Sequence, residues 1–320
     1  MKHLFVVNPV AKRIKGKTKQ FYEMLTAFFK EHPDIHYDVF ESKWSRHSLT
    51  FMRRYIKTTT EPVRIHSIGG TGTLFEVINS VYGIDNVEVA AHPYGMANAF
   101  HSYFGEHNIK HLLSLNSQVF HKTIPMDIIR CGNHYGISSG LVGIEAHSEV
   151  MGEKWIDIGM PVDISYILAG VIQILGKNSS QYYCIDIDDV RIEGEFSSLL
   201  IANVPTYGVN MNPAIDAHPD DGVMDVYLFK KASKIRTLFS MNAYAYGNYR
   251  KLPKVVSHYA AKKVSITSDK TMCSSMDGQA FYGTSKEYEI NPKAINFVCP
   301  DEIDITKLPR LFGRPEEGYR

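Results

Sequence analysis

The stretch IHSIGGTGTLFEVINSV, residues 65–81, decides the fold of this 320-residue chain. A β-rich apolar run over 63–68 enters a glycine cluster at Gly69, Gly70 and Gly72. A helical pattern follows at once, with Leu74, Val77, Ile78 and Val81 at the i, i+3, i+4, i+7 spacing of one buried face. Thr73 followed by Glu76 fits a capping box, which predicts a helix starting at Leu74. A strand, a glycine turn and a bare helix N-terminus in succession aim backbone N–H groups at an anion, usually phosphate. Glycines alone fit an ordinary strand-to-helix turn equally well, so the rest of the chain must decide.

Working outward, the first third alternates strand and helix. Residues 4–7 form a short buried strand, and Phe21, Met24, Leu25 and Phe28 mark a helix ending before Pro33. A strand over 37–40 and a helix through Leu49, Met52 and Ile56 precede the glycine turn; an alternating strand through Val87, Val89 and Ala91 follows it. Repeated βα units predict a mostly parallel sheet with ligand sites beyond the strand C-termini, where both 69–73 and 93–98 fall. From about residue 117 the pattern changes. Strands are expected at 119–124 and 126–131, a hairpin at Gly132-Asn133, and helices at 141–151 and 164–175. Beyond these, strands dominate around one helix at 233–249, which suits a largely antiparallel second domain. The expected division is 1–125 and 126–299, with the tail 300–320 returning to the first domain.

Composition narrows the function. Lys+Arg is 35 and Asp+Glu 34, a net charge of +1 that argues against a nucleic-acid partner. The four cysteines form no CxxC pair and no HExxH occurs, so neither a zinc site nor a disulfide framework is suggested. The apolar stretch 162–175 contains Asp163 and Gln173 and is shorter than the ~20 residues of a membrane span. A cytoplasmic protein is expected. Two other motifs fail. AKRIKGKT, residues 11–18, has Ala where a P-loop begins with glycine, and no second acidic strand end accompanies it. Phe75 stands where the dinucleotide fingerprint needs its third glycine.

Read with the other motifs, the glycine turn resembles the diacylglycerol kinase catalytic-domain family of bacterial lipid kinases, over residues 2–300. Asn8-Pro9 is similar to the family's opening NP. Residues 69–73 stand at its GGDGT turn and 93–99 at its P-x-GTGND loop. Met126-Asp127 matches the aspartate opening the second domain, and Gly143-Ile144-Glu145-Ala146 its GFDA. Asn203, Gly208, Pro213 and residues 220–226 match N…G…P…DGxLDV, and Asp277-Gly278-Gln279 matches DGE. The resemblance implies an N-terminal doubly wound nucleotide-binding domain of NAD kinase/diacylglycerol kinase type plus a C-terminal β-rich, β-sandwich-like domain, with ATP between them. It implies Mg²⁺ as a cofactor and a membrane lipid hydroxyl, such as that of diacylglycerol, as acceptor at the inner face of the membrane. A homodimer is compatible with it.

Carried over residue by residue, the resemblance gives Asn8, Gly69, Gly70, Thr71, Gly72, Thr73, Gly95 and Asn98 to the nucleotide. Gln279, Asp277 and Asp127 fall at catalytic positions, and Asp221 at a structural Mg²⁺ position that an Asp-Gly turn explains equally well. Tyr94, Phe100, Tyr103 and Phe104 form an aromatic cluster that meets either a bilayer or the core. The chain departs from the family where the chemistry lies. The GGDGT aspartate is Thr71, the GTGND aspartate is Ala99 and the DGE glutamate is Gln279; Lys12 replaces a glycine of the opening loop. An amide is no general base, and losing a base costs ~10²–10⁴ in rate. Asp85, Glu145 and Asp216 are the carboxylates left as substitutes for a metal. Two functions follow: an ATP-dependent lipid kinase, or a non-catalytic nucleotide- or lipid-binding regulator on the same fold.

Overall fold

Continuous apolar runs in the first part of the chain and alternating ones in the second give two differently built units. The computed structural model describes residues 1–303 apart from 45, 97, 178 and 208–210. Within these it divides into Met1–Met126 with residues 293–303, and Asp127–Pro292. Gly208 and the tail beyond residue 303, for which a return to the first domain is expected, lie outside the described residues.

The first unit runs β1 (Lys2–Val7), α1 (Thr18–Glu31), β2 (Tyr37–Glu41), α2 (His47–Thr58), β3 (Val63–Gly69), α3 (Thr71–Val81) and β4 (Val87–Pro93). Three short helices follow, α4 (Ala99–Ser102), α5 (Ile109–Leu113) and α6 (Leu115–Phe120). Its strands lie in the order β2-β1-β3-β4 and are all parallel. Asn296 and Phe297 of the last strand join beside Glu88 and Val89 of β4. β3 is buried at every residue, as a strand covered on both faces must be. Phe5, Val7, Ile68, Leu25 and Phe29 form the core between β1, β3 and α1.

The second unit comprises β5 (Thr123–Cys131), β6 (His134–Gly136), β7 (Ser139–Gly143), α7 (Ile144–Asp157), α8 (Val162–Leu175), β8 (Gln181–Ile187) and β9 (Val190–Ala202). After them come β10 (Met224–Lys230), α9 (Lys234–Ala245), β11 (Val256–Ala261), β12 (Lys263–Met276) and β13 (Gln279–Val298). β11-β10-β9-β7-β12-β13 pair antiparallel, and β8 lies between β9 and β12 beyond the end of β7. Gly132-Asn133 does close a hairpin, with Cys131 opposite His134. Leu200, Tyr227, Phe229 and Tyr244 centre the core.

Two sequence expectations are corrected, and one left open is decided. Val119 lies in helix α6, where the Ser114 hydroxyl caps the Ser117 amide and the Arg64 guanidinium donates to the last carbonyls, at Gln118 and Val119. Those end contacts outweigh the β preference of the segment. Leu141 and Val142 belong to β7, paired on both sides, and α7 starts only after Gly143, whose φ of +89° suits glycine. The aromatic cluster is core: Phe100 and Phe104 are buried, with Tyr103 beside them.

Candidate functional site: a glycine bend and a set of buried carboxylates

The helix after the bend begins three residues earlier than the capping box predicts. Leu74 N–H donates to Gly70 O at 3.1 Å, so Gly70 is the N-cap and α3 starts at Thr71. Neither capping-box side chain caps. The Thr73 hydroxyl accepts from Asn8 Nδ2 at 3.3 Å, and Glu76 Oε1 accepts from Arg46 N at 2.7 Å. Thr71, Gly72 and Thr73 form the first turn, whose amides precede the helical ladder. Gly70 and Thr71 are half-buried and Gly72 is exposed, so the bend is open on one side.

The other side is closed by backbone. Gly69 lies opposite Pro93 in the parallel register, and its carbonyl accepts from both Tyr94 N and Gly95 N at 2.9 Å. A Cβ on Gly95 would stand 2.3 Å from Gly70 Cα; one on Gly69 would stand 2.2 Å from Thr73 Oγ1. The main chain thus requires glycine at Gly95, whereas at Gly69 a larger residue would have to displace the Thr73 side chain. Asn98 Nδ2 donates back to Gly95 O at 3.0 Å, while its buried Oδ1 has no partner. Asn8 continues the β1 line: its amide donates to Ile68 O and its Oδ1 accepts from Val10 N. The β1–α1 loop is tied in through Arg13 N donating to Tyr94 O at 3.0 Å, and it carries Lys12, Arg13, Lys15 and Lys17 exposed. The structure thus gathers Asn8, Gly69, Gly70, Thr71, Gly72, Thr73, Gly95 and Asn98 at the C-terminal ends of β1, β3 and β4. The geometry fits a phosphate: helix amides, a Cβ-free floor and nearby cations.

Sheet and helix beneath this edge hold a row of buried histidines. His3 Nδ1 meets His66 Nε2 at 2.9 Å, and His66 Nδ1 meets His92 Nε2 at 3.0 Å. Burial lowers His3 to about 4, His92 to about 3 and His66 well below its ordinary value; buried His101 falls to about 4.

In the second unit the acidic positions are linked by backbone. Asp127 is fully buried, and its Oδ2 accepts from Gly222 N at 2.6 Å. Asn203 Nδ2 bridges Asp127 O and Ile137 O at 2.9 and 2.8 Å. Asp277 and Gly278 have φ of +45° and +84° between paired Met276 and Gln279, a two-residue hairpin turn. The Asp277 carboxylate turns inward onto the amides of Ile137, Ser138 and Ser139. Burial raises its affinity for a proton, and the amides offset this only in part. Asp277 thus fixes the turn that presents Gln279. Asp221 is exposed and its Oδ1 accepts from Val223 N at 3.2 Å, the turn-forming role open to an Asp-Gly pair.

The substitute carboxylates do not assemble. Asp216 pairs with Arg250 at 2.6 Å, Glu145 bonds the Ser198 and Tyr207 hydroxyls, and Asp85 is exposed in the other unit. Among the described residues no group of three or more His, Cys, Asp and Glu side chains could hold a metal ion. The described residues thus offer no all-protein cage for the implied Mg²⁺, an ion that ordinarily takes one or two carboxylates together with substrate phosphates.

One cavity was not expected from the motifs, although Glu145 of the GFDA-like stretch lines it. A cavity of about 400 Å³ is lined by α7, α8 and α9, with Leu141, Glu145, Glu149, Val171 and Met241 among its walls. Glu145 and Glu149 stand one turn apart on α7; burial pushes Glu149 up to about 8 and raises Glu145. The i, i+4 pair of glutamates was legible in the sequence, but nothing there showed it facing inward.

A parallel α/β unit with a phosphate-type glycine bend, joined to an antiparallel unit, defines a protein of the NAD kinase/diacylglycerol kinase fold class. Residues 2–131 match the diacylglycerol kinase catalytic domain, and residues 141–299 match the YegS C-terminal NAD kinase beta sandwich-like domain. The chain is thus similar to the diacylglycerol kinase catalytic-domain family over its first unit. Proteins of Staphylococcus aureus strains MRSA252 and N315, each named "Putative lipid kinase", are 28% identical over 245 residues, which cover 74% of this chain and 77% of theirs. A crystal structure titled as a diacylglycerol kinase from Bacillus anthracis str. Sterne superposes with a TM-score of 0.68 at 16% identity, covering 95% of this chain and 98% of that one. Another from the same organism, titled "putative diacylglycerol kinase", gives 0.71 at 18%, covering 95% and 96%. These show the shared fold.

Proposed function

We propose that this chain is a lipid kinase-family protein that binds the phosphates of ATP at the 69–73 bend and a membrane lipid through its β-rich unit, with weak phosphoryl transfer to a lipid hydroxyl such as that of diacylglycerol. The observation that carries nucleotide binding is the contact of Gly95 with Gly70, which supports the open first turn of α3 from behind with nothing but backbone. Thr71 adds a hydroxyl at that turn but no charge. ATP when bound would supply the phosphoryl group; Gly70, Gly72, Thr73 and Asn8 would hold and orient its phosphates.

The alternative of a binding protein without turnover is favoured by a second observation. Of the acids at family positions, Asp277 is occupied by three amides and Asp127 by Gly222, while Gln279 brings an amide where a base is needed. Labelled ATP with diacylglycerol vesicles separates the two. Product well above a Gly69→Glu control identifies a kinase; product equal to that control, with ATP still bound by the wild type, identifies a binding protein. The membrane side of the proposal concerns association at the surface, since no helix among the described residues is long and apolar enough to cross a bilayer.

A further inference from the structure

Helix α7 carries Glu145, Glu149, Glu153 and Asp157 at successive i, i+4 positions, so four acids share one face. Like charges at that spacing weaken a helix. The row climbs from the interior to the surface: Glu145 is buried, Glu149 half-buried, and Glu153 and Asp157 exposed. The first two are engaged. Glu145 bonds the Ser198 and Tyr207 hydroxyls, while Glu149, beside Ser275 of β12, is pushed up to about 8 by burial and is kept largely protonated at neutral pH. Glu153 reaches further, to the hairpin between β12 and β13. A Cβ on Gly278 would stand 3.2 Å from Glu153 Oε1, and among the described residues beyond its chain neighbours no other atom lies within 4 Å of it.

That oxygen therefore lies over the turn that presents Gln279, where the family's DGE motif has its glutamate. Gly278 and Gln279 are half-buried, so the turn is open to a substrate. The Gln279 amide can orient a hydroxyl but cannot take its proton; a carboxylate beside the neighbouring glycine can. Although Glu153 is exposed as a residue, the protein around its carboxyl group, with Asp157 next to it, raises it to about 7. A general base works best in that range at neutral pH. Of the other titratable groups facing this end of α7, Glu149 is protonated and Tyr166 of α8 is pushed up by burial and by these same acids. Asp277 is turned onto three amides.

We propose that Glu153 is the general base of this chain, taking the proton of the acceptor hydroxyl while Gln279 orients it, in place of the glutamate absent from the DGQ turn. The acceptor O–H bond breaks and its proton passes to the Glu153 carboxylate. The freed oxygen bonds the γ-phosphorus of ATP as the bond from that phosphorus to the β–γ bridging oxygen breaks, and ADP leaves with the electron pair. Glu153, open to solvent, then returns the proton to water. This deepens the kinase reading of the site and rests on it.

The test follows transfer from labelled ATP to diacylglycerol vesicles across pH. Wild-type transfer is expected to rise as pH rises through about 7, where Glu153 loses its proton. Glu153→Gln is expected to lower transfer about 10²-fold or more and to flatten that rise. Adding Gln279→Glu to Glu153→Gln, which returns a carboxylate to the turn, is expected to restore it. Lys154→Gln, exposed on the same helix, leaves transfer unchanged. Thermal melting checks that each variant folds, and Glu153→Asp, expected to keep the pH rise at a reduced rate, replaces a Gln variant that does not. Wild-type rate and pH profile in the Glu153 variant overturn the proposal and leave the kinase reading standing. A loss that Gln279→Glu fails to restore, or an equal loss in Lys154→Gln, also overturns it and makes the effect of Glu153 structural. No transfer by wild type, with ATP still bound in calorimetry, overturns the base assignment together with the kinase reading.

Discussion

Gly95 lies against Gly70 so closely that a single methyl carbon on Gly95 would stand 2.3 Å from the Gly70 Cα and 2.7 Å from its nitrogen. The obstacle is main chain on a strand-to-helix bend, which no rotamer change relieves. Gly95→Ala should therefore destabilise the first unit by about 1–3 kcal/mol and displace the bend. Thermal melting and ATP titration of this variant check both effects, with Gly83→Ala as a strained-glycine comparison in open space, which should lose stability but not ATP binding.

Asp277 separates a structural from a catalytic reading of the second unit. Asp277→Ala leaves three buried amides without an acceptor, at roughly 1–3 kcal/mol for each unsatisfied group, so it should be severely destabilised. Asp277→Asn keeps one acceptor oxygen and forms an Asn-Gly pair, which favours the same hairpin turn. It should fold, with a loss nearer 1 kcal/mol, and retain whatever phosphoryl transfer the wild type shows. Denaturant melts of the two variants, with loss of transfer in a folded Asn variant as the contrary result, decide the matter.

The two units should respond to pH in opposite directions. His3, His66, His92 and His101 are held neutral by burial, His3 and His101 at about 4 and His92 at about 3, against about 6.5 when unfolded. The unfolded chain then binds more protons. Stability of the first unit is full above pH 6.5 and falls as pH drops toward 4 and 3, by up to about 1.4 kcal/mol per pH unit per histidine. Glu149 is shifted the other way, to about 8 from about 4.5, so its contribution is full below 4.5 and is lost as pH rises through 8. Hydrogen exchange at pH 5 and pH 8 should show the first unit loosening at the lower value and α7 at the higher. Parallel loosening of both would contradict the assignment.

Much of the fold was open to sequence reading because local chemistry and long-range packing agree there. The buried run of β3, the glycines of the bend and the Gly132-Asn133 hairpin each work through residues adjacent in the chain. Asp277 was readable as half of a turn, yet its carboxylate is bound by amides 138 to 140 positions away, which no local pattern displays. The stripe through Ile164, Leu168, Ile172 and Leu175 has the period of a core face. Periodicity fixes which residues share a face but not whether that face meets protein or surroundings, and in α8 the small residues Ser165 and Ala169 take the inside.

Restoring the family's acids should act unequally. Thr71 is half-buried at the N-terminus of α3, where a carboxylate is favoured by the helix dipole, and Gln279 is half-buried at the start of β13. Ala99 is buried, so an aspartate there must be desolvated. Thr71→Asp with Gln279→Glu should fold and raise transfer to diacylglycerol if the site is only degenerate, by up to about 10²–10⁴-fold from the restored base. Adding Ala99→Asp should lower the melting temperature. No gain from the pair in a radiolabelled-lipid assay would mean that the site has been rebuilt for another use.

Phosphate binding at the first-turn amides of α3, backed by Gly95, is proposed to persist without the acids of the family's motifs. Isothermal calorimetry with ATP, without lipid, tests it most directly when run on wild type and on Gly69→Glu, whose side chain would enter the space of Thr73 and place a charge at the bend. Saturable binding by wild type and none by a folded Gly69→Glu is the predicted result. No heat from wild type, or equal affinity in the two proteins, would contradict it.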